Sequence, residues 1–131
     1  MPHLRLEYSS NCPTDGTLIE LFAALHDVLV EVGGILRDNC KSRAYPADPF
    51  LVADGSPGPD GKARAFLHLD VRFMDGRSKA LKQSVGAALR DVLLEHFAEA
   101  AAGMDLQVTV EIRDIDRELY FKHPEGTLTP Q

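Results

Sequence analysis

The feature that most constrains this chain is a pattern that occurs twice: a strand-like alternation, a helical stripe, then a second extended stretch. In residues 2–8, Pro2, Leu4, Leu6 and Tyr8 alternate with His3, Arg5 and Glu7, the period of a half-buried strand. After the loop SSNCPTDG, apolar residues Leu18, Leu21, Phe22, Leu25, Val28, Leu29 and Val32 recur at helical spacing. Asp15 or Thr17 is placed to cap that helix, and Gly33-Gly34 to end it. CKSRAY reads as a short strand stopped by Pro46. The second unit opens with ARAFLHLDVRF, where Ala63, Ala65, Leu67, Leu69, Val71 and Phe73 share one face. Ser78 is a natural N-cap for KALKQSVGAALRDVLLEHFAEAA, whose stripe is Leu81, Val85, Ala88, Leu89, Val92 and Leu93, with Gly103 marking its end. LQVTVEIRDI alternates again, turning Leu106, Val108, Val110 and Ile112 inward, and residues 115–121 hold a short further turn or strand.

The order β-α-β, long loop, β-α-β predicts an α+β fold: two units sharing a four-stranded sheet. Right-handed crossovers place both helices on one face of it. The other face carries His3, Arg5, Glu7, Arg64, Phe66, His68, Asp70, Arg72, Gln107, Thr109, Glu111 and Arg113. Such a surface suits plain solvent, a subunit interface or a wet central channel. Residues 1–122 are expected to form a single domain, with a loose tail at 123–131. The Pro/Gly-rich stretch 46–61 is long enough to be a function-bearing or mobile excursion.

The chain has 131 residues, a size that fits one domain. A net charge of −6 argues against a nucleic-acid surface, which shows basic clusters. An anionic ligand must then be recognised by a few placed cations. No stretch approaches the ~20 apolar residues of a membrane span, and no secretory signal opens the chain, so a cytoplasmic location is expected. Cys12 and Cys40 are too few for a disulfide framework or a zinc site. His26, His68, His96 and His123 show no metal-ligand spacing, and no metal is expected.

Pro2, directly behind the initiator Met1, admits two readings. Proline has no N–H to give a ladder and is tolerated at the first position of a strand. If Met1 is trimmed, however, Pro2 becomes a terminal secondary amine, titrating near the ~8 of an α-amino group. Alternation puts Pro2 on the apolar face with Leu4 and Leu6. Burial and nearby cations would both lower its pKa toward ~6–7, where a ring nitrogen can act as a base.

Four segments in order bear on that choice: MPHLRLEYSSN at the start, KSR after the first helix, FLHLDVRFMDGRS before the second, and VTVEIRDIDRELYFK near the end. Together they resemble the 5-carboxymethyl-2-hydroxymuconate isomerase family of the tautomerase superfamily, over residues 2–122. The resemblance implies a homotrimer, with three sheets around a central channel and the helices outside. It implies a cofactor-independent isomerase that moves a proton between carbons of an unsaturated 2-hydroxy/2-oxo dicarboxylate in homoprotocatechuate breakdown, with Pro2 as the base. Arg77, in DGRS at a strand–helix junction, is then the expected carboxylate clamp and charge stabiliser, helped by the adjacent helix N-terminus. Lys41 and Arg43, alternate residues of the second strand, are expected to bind substrate, with pairing to an acid in the trimer as the other reading of Arg43. The family pattern calls for arginine where Lys41 stands, and lysine keeps the charge but loses the planar fork. Tyr120 and Phe121 are read either as ordinary packing or as an apolar wall of the pocket, and His3 is expected to face an interface. Two other readings of the same platform are a hydratase or dehalogenase that uses a protonated proline as acid, and a non-catalytic trimer.

Overall fold

Each apolar stripe is buried where its spacing puts it. Helix α1 (Leu18–Glu31) turns Leu21, Leu25 and Leu29 inward, and helix α2 (Lys79–Phe97) turns Val85, Leu89, Leu93 and Phe97 inward. A four-residue separation stacks these side chains in a row along one side of each helix. Against them lie strands β1 (His3–Ser9) and β3 (Ala63–Met74), whose Leu4, Leu6, Ala65, Leu67, Leu69 and Val71 are fully buried. The computed structural model describes residues 1–124. Of the expected tail, residues 125–131 therefore lie outside the described residues.

Strands β2 (Lys41–Ala47) and β4 (Met104–Ile115) complete one sheet in the order β2-β1-β3-β4. β1 is parallel to β2 and β3 is parallel to β4, each pair being bridged by a helix; β1 and β3 meet antiparallel at the centre. The helices pack on each other, α1 against β2 and α2 against β4. The α+β expectation of two β-α-β units with both helices on one face is met. The inward residues of β4 are only half-buried because β4 is an edge.

Local chemistry explains the element ends. Ser78 caps α2, its Oγ accepting from Leu81 N–H at 3.1 Å. Thr17 does sit at the N-cap of α1, but it makes no side-chain cap bond; its hydroxyl donates to the Thr14 carbonyl instead, at 2.6 Å. Gly34, with φ +66°, turns the chain away from α1 while Ile35 N–H returns to the Leu29 carbonyl. Pro46 does not stop β2, which runs on to Ala47. β2 is an edge strand, where a missing N–H need not cost a ladder bond. The second helix ends at Phe97 rather than near Gly103, and tight turns over 98–103 lead into β4. The stretch after β4 is a single 3-10 turn, Arg117–Leu119.

The long loop lies far from the start of β1. Antiparallel pairing sets His3 opposite Arg72 and Tyr8 opposite Leu67, so the loop before β3 meets the opposite end of β1 from Pro2. It is pinned there by the Phe50–Phe66 edge contact at 6.2 Å and by Arg64 Nε donating to the Ser56 carbonyl. Within one chain it does not cover Pro2.

Leu69→Ala, at the centre of the sheet, is expected to lower the unfolding free energy by about 2–5 kcal/mol. Ile19→Ala, at a side chain 76% exposed, should leave it within about 0.5 kcal/mol. Urea unfolding of both variants checks the pair.

Candidate active site

Three pieces of chain converge at the Pro2 end of the sheet. Pro2 immediately precedes β1 and is tied to β2 by Lys41 N–H donating to its carbonyl at 3.2 Å. The end of β3 supplies Phe73 and Met74, and the turn into α2 supplies Arg77 just after Gly76, whose φ is +106°. The segment between α1 and β2 supplies Ile35 and Asn39. Together with Met1 these residues enclose a small pocket. Met1 itself is 6% exposed. With that side chain seated in it, the pocket keeps only about 10 Å³ of free space.

Arg77 is the polar anchor of this pocket. Its guanidinium lies 5.3 Å from the Phe73 ring centroid, and Nη1 reaches the Met74 carbonyl only at 3.4 Å. Its Nε is buried and has no hydrogen-bond partner among the described residues. A buried donor left unmade costs about 1–3 kcal/mol, so the orphan Nε marks a place where an acceptor belongs. Burial, and then the charge of Arg117, push the Arg77 pKa down. Arg117 is itself held by Asp75: its Nε donates to Oδ1 at 2.7 Å and its Nη2 to the backbone carbonyl. That clasp fixes the 3-10 turn after β4 against the turn that carries Arg77.

The amino terminus sits in the same field. Burial, followed by the Lys41 ammonium, lowers the α-amino group from 8.0 to about 5, and Lys122 adds to the effect. A cation there is opposed by desolvation and by its neighbours, so an amine in this position stays neutral at pH 7.

The sequence-expected residues do not all meet. Pro2 and Arg77 share the pocket, and Lys41 stands beside the amino terminus. Arg43 does not join them. The register pairs Arg5 with Arg43 and Leu4 with Ser42, and partners in a parallel ladder share a face. Arg43 therefore lies on the helix-free side, where its Nη2 donates to His3 Nδ1 at 2.9 Å. Tyr120 is there too, its hydroxyl 2.8 Å from His3 Nε2, rather than walling the Pro2 pocket. Phe121 is 89% exposed and packs into neither. His3 does face the polar side, as its alternation requires. The thiols of Cys12 and Cys40 are pushed up by burial. Among the described residues no His, Cys, Asp or Glu cluster is arranged to hold a metal, and no helix is long and apolar enough to cross a membrane.

Three contributors escaped the sequence reading. Asn39 lies in a 3-10 turn that no periodicity announces. Arg117 and Lys122 follow the last strand, and it is the long-range clasp to Asp75 that gives Arg117 its position. The DGRS and DRE clusters contained the partners, but nothing in either said that they meet.

The sequence profile of the 5-carboxymethyl-2-hydroxymuconate isomerase family matches residues 2–125. The 5-carboxymethyl-2-hydroxymuconate Delta-isomerase of Escherichia coli is 29% identical over 122 residues, covering 93% of each chain. The crystal structure of a 5-carboxymethyl-2-hydroxymuconate isomerase from Deinococcus radiodurans R1 superposes with a TM-score of 0.73 at 35% identity, over 92% of this chain and 87% of that one. A fused 4-OT solved as a symmetric trimer shares the fold at a TM-score of 0.68 and 22% identity, over 97% and 96% of the two chains. With the doubled β-α-β sheet of the tautomerase superfamily and a family match over nearly its whole length, this chain is an isomerase that belongs to the 5-carboxymethyl-2-hydroxymuconate isomerase family.

Proposed function

We propose that this isomerase acts without a cofactor on an unsaturated 2-hydroxy/2-oxo dicarboxylate such as 5-carboxymethyl-2-hydroxymuconate, with Pro2, freed by removal of Met1, as its general base. The observation that carries the reading is the pocket that joins Pro2 to the unpartnered, buried Nε of Arg77. In this reading the ring nitrogen takes a proton from one position of the substrate. The electron pair spreads over the conjugated chain onto oxygen as a dienolate, and the same proton returns at another position. No atom is gained or lost, so only a base and a cation are required.

Arg77 supplies the cation. Its free edge can hold a carboxylate side-on, and a donor already in place where charge develops is often the largest contribution to rate. Lys41 adds a second positive charge beside the nitrogen. Arg43, across the sheet, is assigned a different anion below. A homotrimer fits the same platform: the helix-free sheet face has no cover within one chain, and three such faces can enclose a channel. Residues 1–122 would be the unit that assembles, inside the cell where such dicarboxylates are degraded.

Removing Met1 places the amine one residue along, in surroundings that already hold an α-amino group near 5. A base with a lowered pKa is active once deprotonated. The expected kcat/KM therefore rises with pH through a limb below 7 and is level at neutrality. A protonated proline acting as acid, as in hydration or dehalogenation, gives the opposite limb, with activity lost as pH rises. The pH–rate profile on 5-carboxymethyl-2-hydroxymuconate separates the two.

Protein whose intact mass shows Met1 retained should be inactive, because Pro2 nitrogen is then an amide. Pro2→Ala, processed to a terminal alanine, is expected to lose about 10²–10⁴-fold in kcat/KM. Arg77→Gln should raise KM roughly tenfold or more, one charge-assisted contact being worth about 1.5–3 kcal/mol. Full activity in Met1-retained protein, or unchanged kinetics in both variants, overturns the reading.

A further inference from the structure

On the helix-free face a second cavity of about 340 Å³ opens, lined by His3, Arg5, Arg43, Asp70, Arg72 and Tyr120, with Ile115 at its side. Its charges do not balance. Asp70 meets Arg72 Nε at 3.1 Å through one oxygen and Arg113 Nε at 3.1 Å through the other, and Arg113 also holds Glu111. Asp70 Oδ2 accepts a hydrogen bond from Arg72, whereas its buried Oδ1 is ion-paired to Arg113 without a hydrogen bond. Arg5 and Arg43 have no carboxylate within 4 Å among the described residues. Arg5 rests on the Tyr45 ring at 4.8 Å. Arg43 donates to a neutral imidazole.

These two arginines are direct register partners on neighbouring strands. Strands lie about 4.8 Å apart, and like charges set opposite each other on one sheet face are destabilising. Arg5 also stands opposite Asp70 across the β1–β3 seam, but that carboxylate is ion-paired to Arg72 and Arg113. Three lining arginines against one lining carboxylate leave two positive charges for a ligand to match. His3 and Tyr120 add shape. Because arginine has no acceptor, His3 Nδ1 must accept from Arg43, which leaves Nε2–H to face the Tyr120 oxygen. Arg43 is thereby aimed, and its remaining N–H groups are free for a ligand.

We propose that this cavity is a second anion site, separate from the Pro2 pocket, in which Arg5 and Arg43 hold a small dianion, either a phosphate group or a short dicarboxylate. The site does not depend on Pro2 chemistry. The two ligands share one recognition chemistry, bidentate oxyanions on guanidinium forks.

His3 reports occupancy. Its ring is faced by Arg43 and Lys41 of β2, Arg72 of β3, Tyr120 after β4 and the amino terminus, and burial with these charges lowers its pKa to about 4. An anion bound beside it favours the imidazolium, so its pKa must rise. The experiment is a titration of the full chain with inorganic phosphate and, in a parallel arm, with succinate, following the His3 ring resonances by NMR. A saturable shift with an upward pKa is expected in at least one arm, and the arm that saturates at lower concentration identifies the ligand class. Arg5→Gln and Arg43→Gln should each weaken binding roughly tenfold or more, while Arg77→Gln leaves the His3 response intact. A His3 response that is absent with both anions, persists in both polar-face variants, or disappears in Arg77→Gln overturns the assignment.

Discussion

The antiparallel seam between β1 and β3 is the contact on which the rest of the architecture depends. Either β-α-β unit alone would be a two-stranded sheet under one helix, too small a surface for an independent core. Joined along the seam, the units place the sheet's fully buried leucines and Val71 in the two central strands and leave half-covered residues to the edges. Running the strands in opposite directions also decides where the chemistry can sit. It brings the first residues of β1 beside the last residues of β3, so that Pro2 meets Phe73, Met74 and the Arg77 turn. A parallel seam would have sent Arg77 to the other end of the molecule. The site is therefore a consequence of topology before it is a consequence of any side chain.

Within that corner, burial does more than charge. The molecule as a whole is anionic, at −6, yet the amine and Arg77 both experience a local cationic field with too little water to screen it. Desolvation is the leading cause of the lowered pKa in each, and neighbouring cations come second. Both shifts point the same way, toward a neutral amine next to a guanidinium whose Nε lacks an acceptor. Arg117 shows how such a field is maintained. It is locked to Asp75 and so cannot turn away from Arg77, and its own charge is only partly cancelled by the carboxylate.

Those parts of the molecule that obey a period were legible in the sequence. The inward faces of β1, β3 and both helices follow from spacings of two and four, since burial on one side imposes those spacings. The two-unit order, read with right-handed crossovers, was enough to put both helices on one face. The failures share a cause as well. Pro46 reads as a stop only if β2 is assumed to have neighbours on both sides, and strand order is not written in local pattern. Thr17 fits a cap by type, but its hydroxyl had a nearer carbonyl in Thr14. Arg43 could be placed on a face by alternation, but that this face is the wrong one for Pro2 depends on the β1–β2 register. Arg117 and Asn39 are placed by contacts from distant chain, and no window of sequence contains both partners.

A strand sends consecutive side chains to opposite faces, so Pro2 and His3 are held back to back, one toward each cavity. Their environments are not independent. Lys41, at the head of β2, depresses both the terminal amine and His3, and the amino terminus, when protonated, is itself the second cause of the His3 shift. A proton on either base makes a proton on the other less favourable. The terminal amine and His3 are thus both pushed toward the neutral form by overlapping cations that the described acids do not fully neutralise. The character of Lys41 matters here. A flexible point charge can curl round the strand edge toward the terminus, whereas a planar fork would be committed to one face. Lysine in place of the expected arginine thus lets one residue shape the field on both sides.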